Sequence, residues 1–107
     1  MAKPVFYDRK LVDVCIAAAG SARRGGVVAM RLIQWATVSE SLGHFASTRE
    51  YAEWTYVDER TAFRHRAAIR AVFDEAQFQL LVDELVKQGA AKTSRRRALA
   101  LTVRLAS

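Results

Sequence analysis

Apolar residues recur at three- and four-residue intervals along most of this chain and switch to strict alternation only near its end. Leu11, Val14, Cys15 and Ala18 predict a first helix over 8–19, capped by Asp8 and stopped by Gly20. The stretch 20–26, with three glycines and Arg23-Arg24, reads as a mobile basic connection. A broad stripe of Val28, Ala29, Leu32, Ile33, Trp35 and Ala36 predicts a central core helix over 27–42, closed by Gly43 and His44. Ser47 and Glu50 have the spacing of a capping box, which starts a short helix over 48–54. Thr55, Tyr56 and Val57 interrupt it, and Asp58 opens a further helix, 58–73. Asp74 caps the next, 75–87, with Phe78, Leu81, Val82 and Leu85 inward and Gly89 at its end. In the tail, Leu99, Leu101, Val103 and Leu105 alternate with Ala100, Thr102 and Arg104, as in a half-buried strand. Pairing with 90–93 makes a hairpin whose turn carries Ser94, Arg95, Arg96 and Arg97. The expected fold class is mainly α with a small C-terminal β-hairpin.

Composition narrows this picture. A chain of 107 residues, 51% of them hydrophobic, has room for one packed domain, 1–107, with 8–19 as an accessory helix outside its core. One cysteine, Cys15, excludes an intrachain disulfide, and no Cys/His set has zinc spacing. The apolar stretches are too short to span a membrane, and the opening Met-Ala-Lys-Pro lacks a signal peptide's apolar run. A reduced, cytoplasmic protein is expected.

Charge changes the picture more. Arg60, Arg64, Arg66 and Arg70 fall in one acid-free run, and Lys92, Arg95, Arg96, Arg97 and Arg104 in another. These four and five positive charges exceed the net +6 of the chain, so the remainder carries −3. Concentration of this kind suits two elements that face a polyanion.

Residues 47–69 resemble the helix-turn-helix of bacterial DNA-binding regulators. Ala52 stands where that family has a small residue at the helix crossing, and Val57 where it has an apolar residue after the turn. Ala62 and Ile69 continue the inward face, and Thr61 with Arg64 match the T-x-x-R pattern of recognition helices. Tyr56 replaces the usual turn glycine at a position that often takes left-handed backbone. More weakly, the rest of the chain is similar to the winged helix-turn-helix superfamily, with 94–97 as the basic wing. The resemblance implies sequence-specific binding of double-stranded DNA and regulation of transcription, as in bacterial or phage regulators.

Helical arithmetic assigns roles. Ala62, His65, Ile69, Val72 and Phe73 cluster on one face of 58–73, while Arg60, Arg64 and Ala67 point away. Arg60, Thr61 and Arg64 are the expected base contacts, since arginine bonds bidentately to guanine. Thr48, Arg49, Arg66, Arg70, Arg95, Arg96 and Arg97 are the expected backbone contacts. Helix 75–87 is the rival reading helix, but Glu75, Asp83 and Glu84 would repel phosphate. The apolar face of 8–19 suggests a homodimer. Other readings are an excision or replication accessory factor, or a winged helix that binds an acidic protein.

Enzyme chemistry finds little here, and no cofactor or metal is expected. His65 reads as a helix-packing residue and His44 as a loop residue. Cys15 reads as buried filler, Trp35 and Trp54 as core, and the carboxylates as caps. Gly25-Gly26 lacks the pattern and the lysine of a phosphate loop.

Overall fold

A computed structural model describes residues 9–88. Helix α1 spans Arg9–Ala19 and α2 spans Ala22–Leu42. Helix α3 spans Thr48–Thr55, α4 spans Glu59–Arg70, and α5 occupies 75–88. The described structure is thus all-helical, with five helices and no strand among the described residues. This overturns the expected mainly α fold with a C-terminal β-hairpin and wing. The residues that carried that expectation, 90–105, lie outside the described residues.

The first correction within the described chain falls at the start of α2. Residues 20–26 do not form a connection. Gly20, with φ of 76°, ends α1, and Ser21 immediately caps α2 by accepting from the Arg24 amide at 3.1 Å. Helix α2 therefore begins five residues earlier than expected. Gly25 is there for packing: a β-carbon would lie 2.5 Å from the Ile16 α-carbon. Its missing side chain brings α2 against α1 in a tight helical hairpin. Leu11 and Cys15 are buried in this contact, whereas Val14 and Ala18 point outward.

Helix α2 supplies the spine of the core through Val28, Ala29, Leu32, Trp35, Ala36 and Val38. It stops at Gly43, φ 78°, whose amide donates to the Ser39 carbonyl at 2.9 Å. The loop to α3 is then fixed at Ala46. The amide of Ala46 donates to the buried Ser39 Oγ at 3.0 Å, and its carbonyl accepts from Trp35 Nε1 at 2.9 Å. Both backbone groups of a buried residue are satisfied, as burial requires.

Helix α4 is shorter than expected and ends at Arg70. Residues 71–73 form a turn in which the Val72 and Phe73 amides both donate to the Ile69 carbonyl. Asp74 then caps α5: Gln77 N–H donates to Asp74 Oδ1 at 2.8 Å, and the Asp74 amide to Gln77 Oε1 at 2.9 Å. Phe78, Val82 and Leu85 turn inward and close the core.

The adjacent glycines of α2 make opposite predictions. Gly25→Ala is expected to destabilise the fold by about 2 kcal/mol, because the added methyl meets backbone that cannot move away. An Ala at position 26 meets nothing within 4 Å, so Gly26→Ala should stabilise by about 1 kcal/mol through helix propensity. Urea denaturation of the two variants measures both; equal effects would rule out the tight α1–α2 contact.

Candidate nucleic-acid interface

Helices α3 and α4 pack against each other across the turn at 56–58. Helix α3 opens with the expected capping box: Glu50 N–H donates to Ser47 Oγ at 3.1 Å, and Ser47 N–H to Glu50 Oε1 at 3.0 Å. The Ser47 amide, followed by His44 Nε2 at 2.8 Å, holds the Glu50 carboxyl below its usual range. Tyr56 ends α3 in left-handed backbone, φ 58° and ψ 36°. It is the single non-glycine residue with positive φ among the described residues, and it is 95% exposed. Asp58 caps α4 by accepting from Thr61 N–H at 2.7 Å, and this bonding to Thr61 lowers its carboxyl.

The inward faces of α3 and α4 meet over small residues. Ala52 and Ala62 are buried, Ile69 is fully buried, and Val57 is half-buried. Tyr51 of α3 reaches between α2 and α4. Its hydroxyl donates to Gln34 Oε1 at 3.1 Å and lies 2.8 Å from His65 Nδ1. One hydroxyl proton cannot serve both contacts, so with Gln34 as acceptor the His65 Nδ1–H donates to the hydroxyl oxygen. The His65 ring also meets Tyr51 edge-on at 5.6 Å.

The outward face of α4 carries Arg60, Phe63, Arg64 and Ala67, all exposed. Neither Arg60 nor Arg64 forms a salt bridge or hydrogen bond from its guanidinium among the described residues. The other expected contacts are placed differently. Thr61 is half-buried on the flank. Arg49 is exposed but lies 3.5 Å from Glu53 and 4.0 Å from Glu59. Arg66 is turned inward: it donates to Thr48 Oγ1 at 3.2 Å and to Glu75 Oε1 at 2.7 Å. Its guanidinium carbon also sits 5.7 Å from the centre of the Phe78 ring. Arg70 donates to the second Glu75 oxygen at 2.9 Å. One carboxylate of α5 therefore holds both flanking arginines of α4. Arg95, Arg96 and Arg97 lie outside the described residues.

Two further features bear on chemistry. Trp54 is exposed, against the expectation that it lies in the core, whereas Trp35 is fully buried. Cys15 is also fully buried, and burial pushes its thiol up to about 11, which makes it a poor nucleophile. Among the described residues no helix is long and apolar enough to cross a membrane, and no group of His, Cys, Asp and Glu could hold a metal ion.

Compared with family models, curated proteins and solved structures, the chain matches none.

The His65 contact has a pH signature. Burial, and then the nearby Arg31 cation, hold its imidazole below the ordinary value of 6.5. The unfolded chain takes up this proton first. The stabilisation from neutral His65 is thus complete above the ordinary value and lost progressively as pH falls from there to the lower folded value. Thermal melts from about pH 7.5 to about 5.5 should show a smaller drop in Tm for His65→Gln than for the unaltered chain. Equal drops would mean that the imidazole is as solvated as in the unfolded state.

Proposed function

We propose that the protein binds double-stranded DNA, with α4 in the major groove. One observation carries this reading. Arg60 and Arg64 stand one turn apart on an exposed helix face beside the small Ala67, in no ion pair among the described residues, although the Arg64 charge acts on the Asp58 carboxyl. Both can approach guanine while Ala62 and Ile69 keep the helix docked. Phe63 adds an apolar surface suited to a thymine methyl. Thr61 reads from the flank. Arg49, Thr48 at the start of α3, and Arg70 face the phosphates. Arg66 acts first as a brace between α3, α4 and α5. The outward side of α5 carries Asp83 and Glu84, which supports α4 as the reading helix. Control of transcription is the biological role proposed for this binding, and footprints on genomic fragments test it by the position of bound sites relative to promoters.

A homodimer through the α1 side belongs to the same proposal. Leu11 and Cys15 are already covered by α2, and the surface taken for the dimer is the groove of Val12, Val27, Met30 and Ile33, which Arg23 and Gln34 also line. Sedimentation should show a dimer that Met30→Glu converts to monomer. A monomer in both would remove this part.

Duplex affinity should fall with salt with a log–log slope steeper than about −2, because several phosphate contacts release counterions. A shallower slope would favour an acidic protein as the partner. Arg64→Ala should weaken binding to the preferred site by about 1–3 kcal/mol and to random duplex far less. Glu75→Gln releases Arg66 and Arg70, so it should tighten binding to every duplex and steepen the slope by about 1, at a stability cost of about 1 kcal/mol. Fluorescence anisotropy at several salt concentrations reads all three.

A further inference from the structure

The stripe of α4 that carries Arg60 and Arg64 does not stop at the helix end. At about 100° per residue, Arg60, Arg64, Ala68 and Ala71 fall within about 80° of one another. Ala68 and Ala71 form one wall of a groove of about 610 Å³. The opposite wall is the first turns of α2, with Ser21, Arg23 and Arg24. Among the described residues no carboxylate lines this groove. Both arginines are exposed, and neither guanidinium forms an ion pair or hydrogen bond among the described residues. They are also held on a rigid base, because Gly25 packs on the Ile16 backbone and Ser21 caps the helix. Two cations thus face an open groove that continues the reading stripe.

From this arrangement we infer that Arg23 and Arg24 form a second contact patch for the phosphodiester backbone of the duplex that α4 reads. The inference rests on the reading of α4 given above. Its geometry is that of a helix leaving a groove. From residue 60 to residue 71 the helix axis advances about 16 Å, while the major groove is about 12 Å wide. A helix whose first turns meet base edges therefore reaches the flanking sugar-phosphate wall near its C-terminal end. There the small Ala68 and Ala71 leave room for a strand, and α2 offers two guanidiniums across the gap. Such contacts fix the register of the protein on the duplex and carry no base preference.

The test compares three proteins on a preferred and a random duplex by anisotropy between about 50 and 200 mM salt. These are the unaltered chain, the double variant Arg23→Ala/Arg24→Ala, and the charge-retaining Arg23→Lys/Arg24→Lys. The alanine variant should lose affinity for both duplexes by a similar factor of about tenfold or more, and its salt slope should flatten by about 1–2, the loss of one or two phosphate contacts. The lysine variant should keep the slope, because the point charges remain. Helicity by circular dichroism should stay unchanged, since alanine is the stronger helix former. If the alanine variant binds both duplexes with unaltered affinity and slope, or changes only base preference, the second patch is disproved while the reading of α4 stands. If the unaltered chain binds neither duplex, the proposed function itself fails, and this inference with it.

Discussion

The indole of Trp35 is the point where the helices are tied together. It stacks on Tyr51 of α3 with ring centres 4.1 Å apart and planes 11° from parallel. It meets Phe78 of α5 edge-on at 5.4 Å, and its N–H donates to the Ala46 carbonyl in the α2–α3 loop. Three helices and one loop thus share a single fully buried side chain. Aromatic contacts of this kind add about 0.5–1.5 kcal/mol each beyond the apolar area they bury. Two of the contacts that position α4 lead back to this point. Tyr51, stacked on Trp35, carries the hydroxyl that meets His65, and Phe78 lies under the guanidinium of Arg66.

Electrostatics divides α4 along its length and around its axis. Asp58 and Glu59 at its N-terminus complement the helix dipole, and the basic residues follow. Around the axis, Arg66 and Arg70 are neutralised by Glu75, while Arg60 and Arg64 are left in solvent. Like charges on one short helix repel one another. The Glu75 carboxylate reduces that repulsion on one flank and links α4 to α5. Arg60 and Arg64 are then positive charge of α4 that no ion pair among the described residues holds.

Much of this was legible in the sequence because the local signals agree with one another. The Ser47–Glu50 box, the Asp58 and Asp74 caps, Gly20, Gly43, and the apolar faces of α2 and α5 all stand where their spacing placed them. The failures each have a physical cause. Gly25 and Gly26 resemble loop residues, but one of them serves a helix–helix contact, which is a tertiary demand that no local pattern shows. Trp54 has the residue type of a core position and the exposure of a surface one. The hairpin expectation rested on the alternation of Leu99, Leu101, Val103 and Leu105 with Ala100, Thr102 and Arg104, which lie outside the described residues. The pairing of Arg66 and Arg70 with Glu75 needed the angle between α4 and α5. The Arg23–Arg24 patch did leave a trace: residues 14–39 contain three arginines and no carboxylate. The glycines beside them hid its meaning by suggesting a loop.

Tyr56 shows how this architecture separates the core from the exposed surface. A non-glycine residue in left-handed backbone costs about 1–2 kcal/mol, and its side chain returns nothing to the core, being almost wholly in solvent. The turn nevertheless holds because what it joins is over-determined. Val57 N–H donates to the Ala52 carbonyl at 3.1 Å, Asp58 caps the next helix, and Ala52 packs at the crossing. The inner faces of α3 and α4 thus set the turn, whatever residue occupies its apex. By the same logic the outer face of α4 is free to vary. Arg60, Phe63, Arg64 and Ala67 are exposed on that face, so their identities can change without unsettling Trp35 and its neighbours.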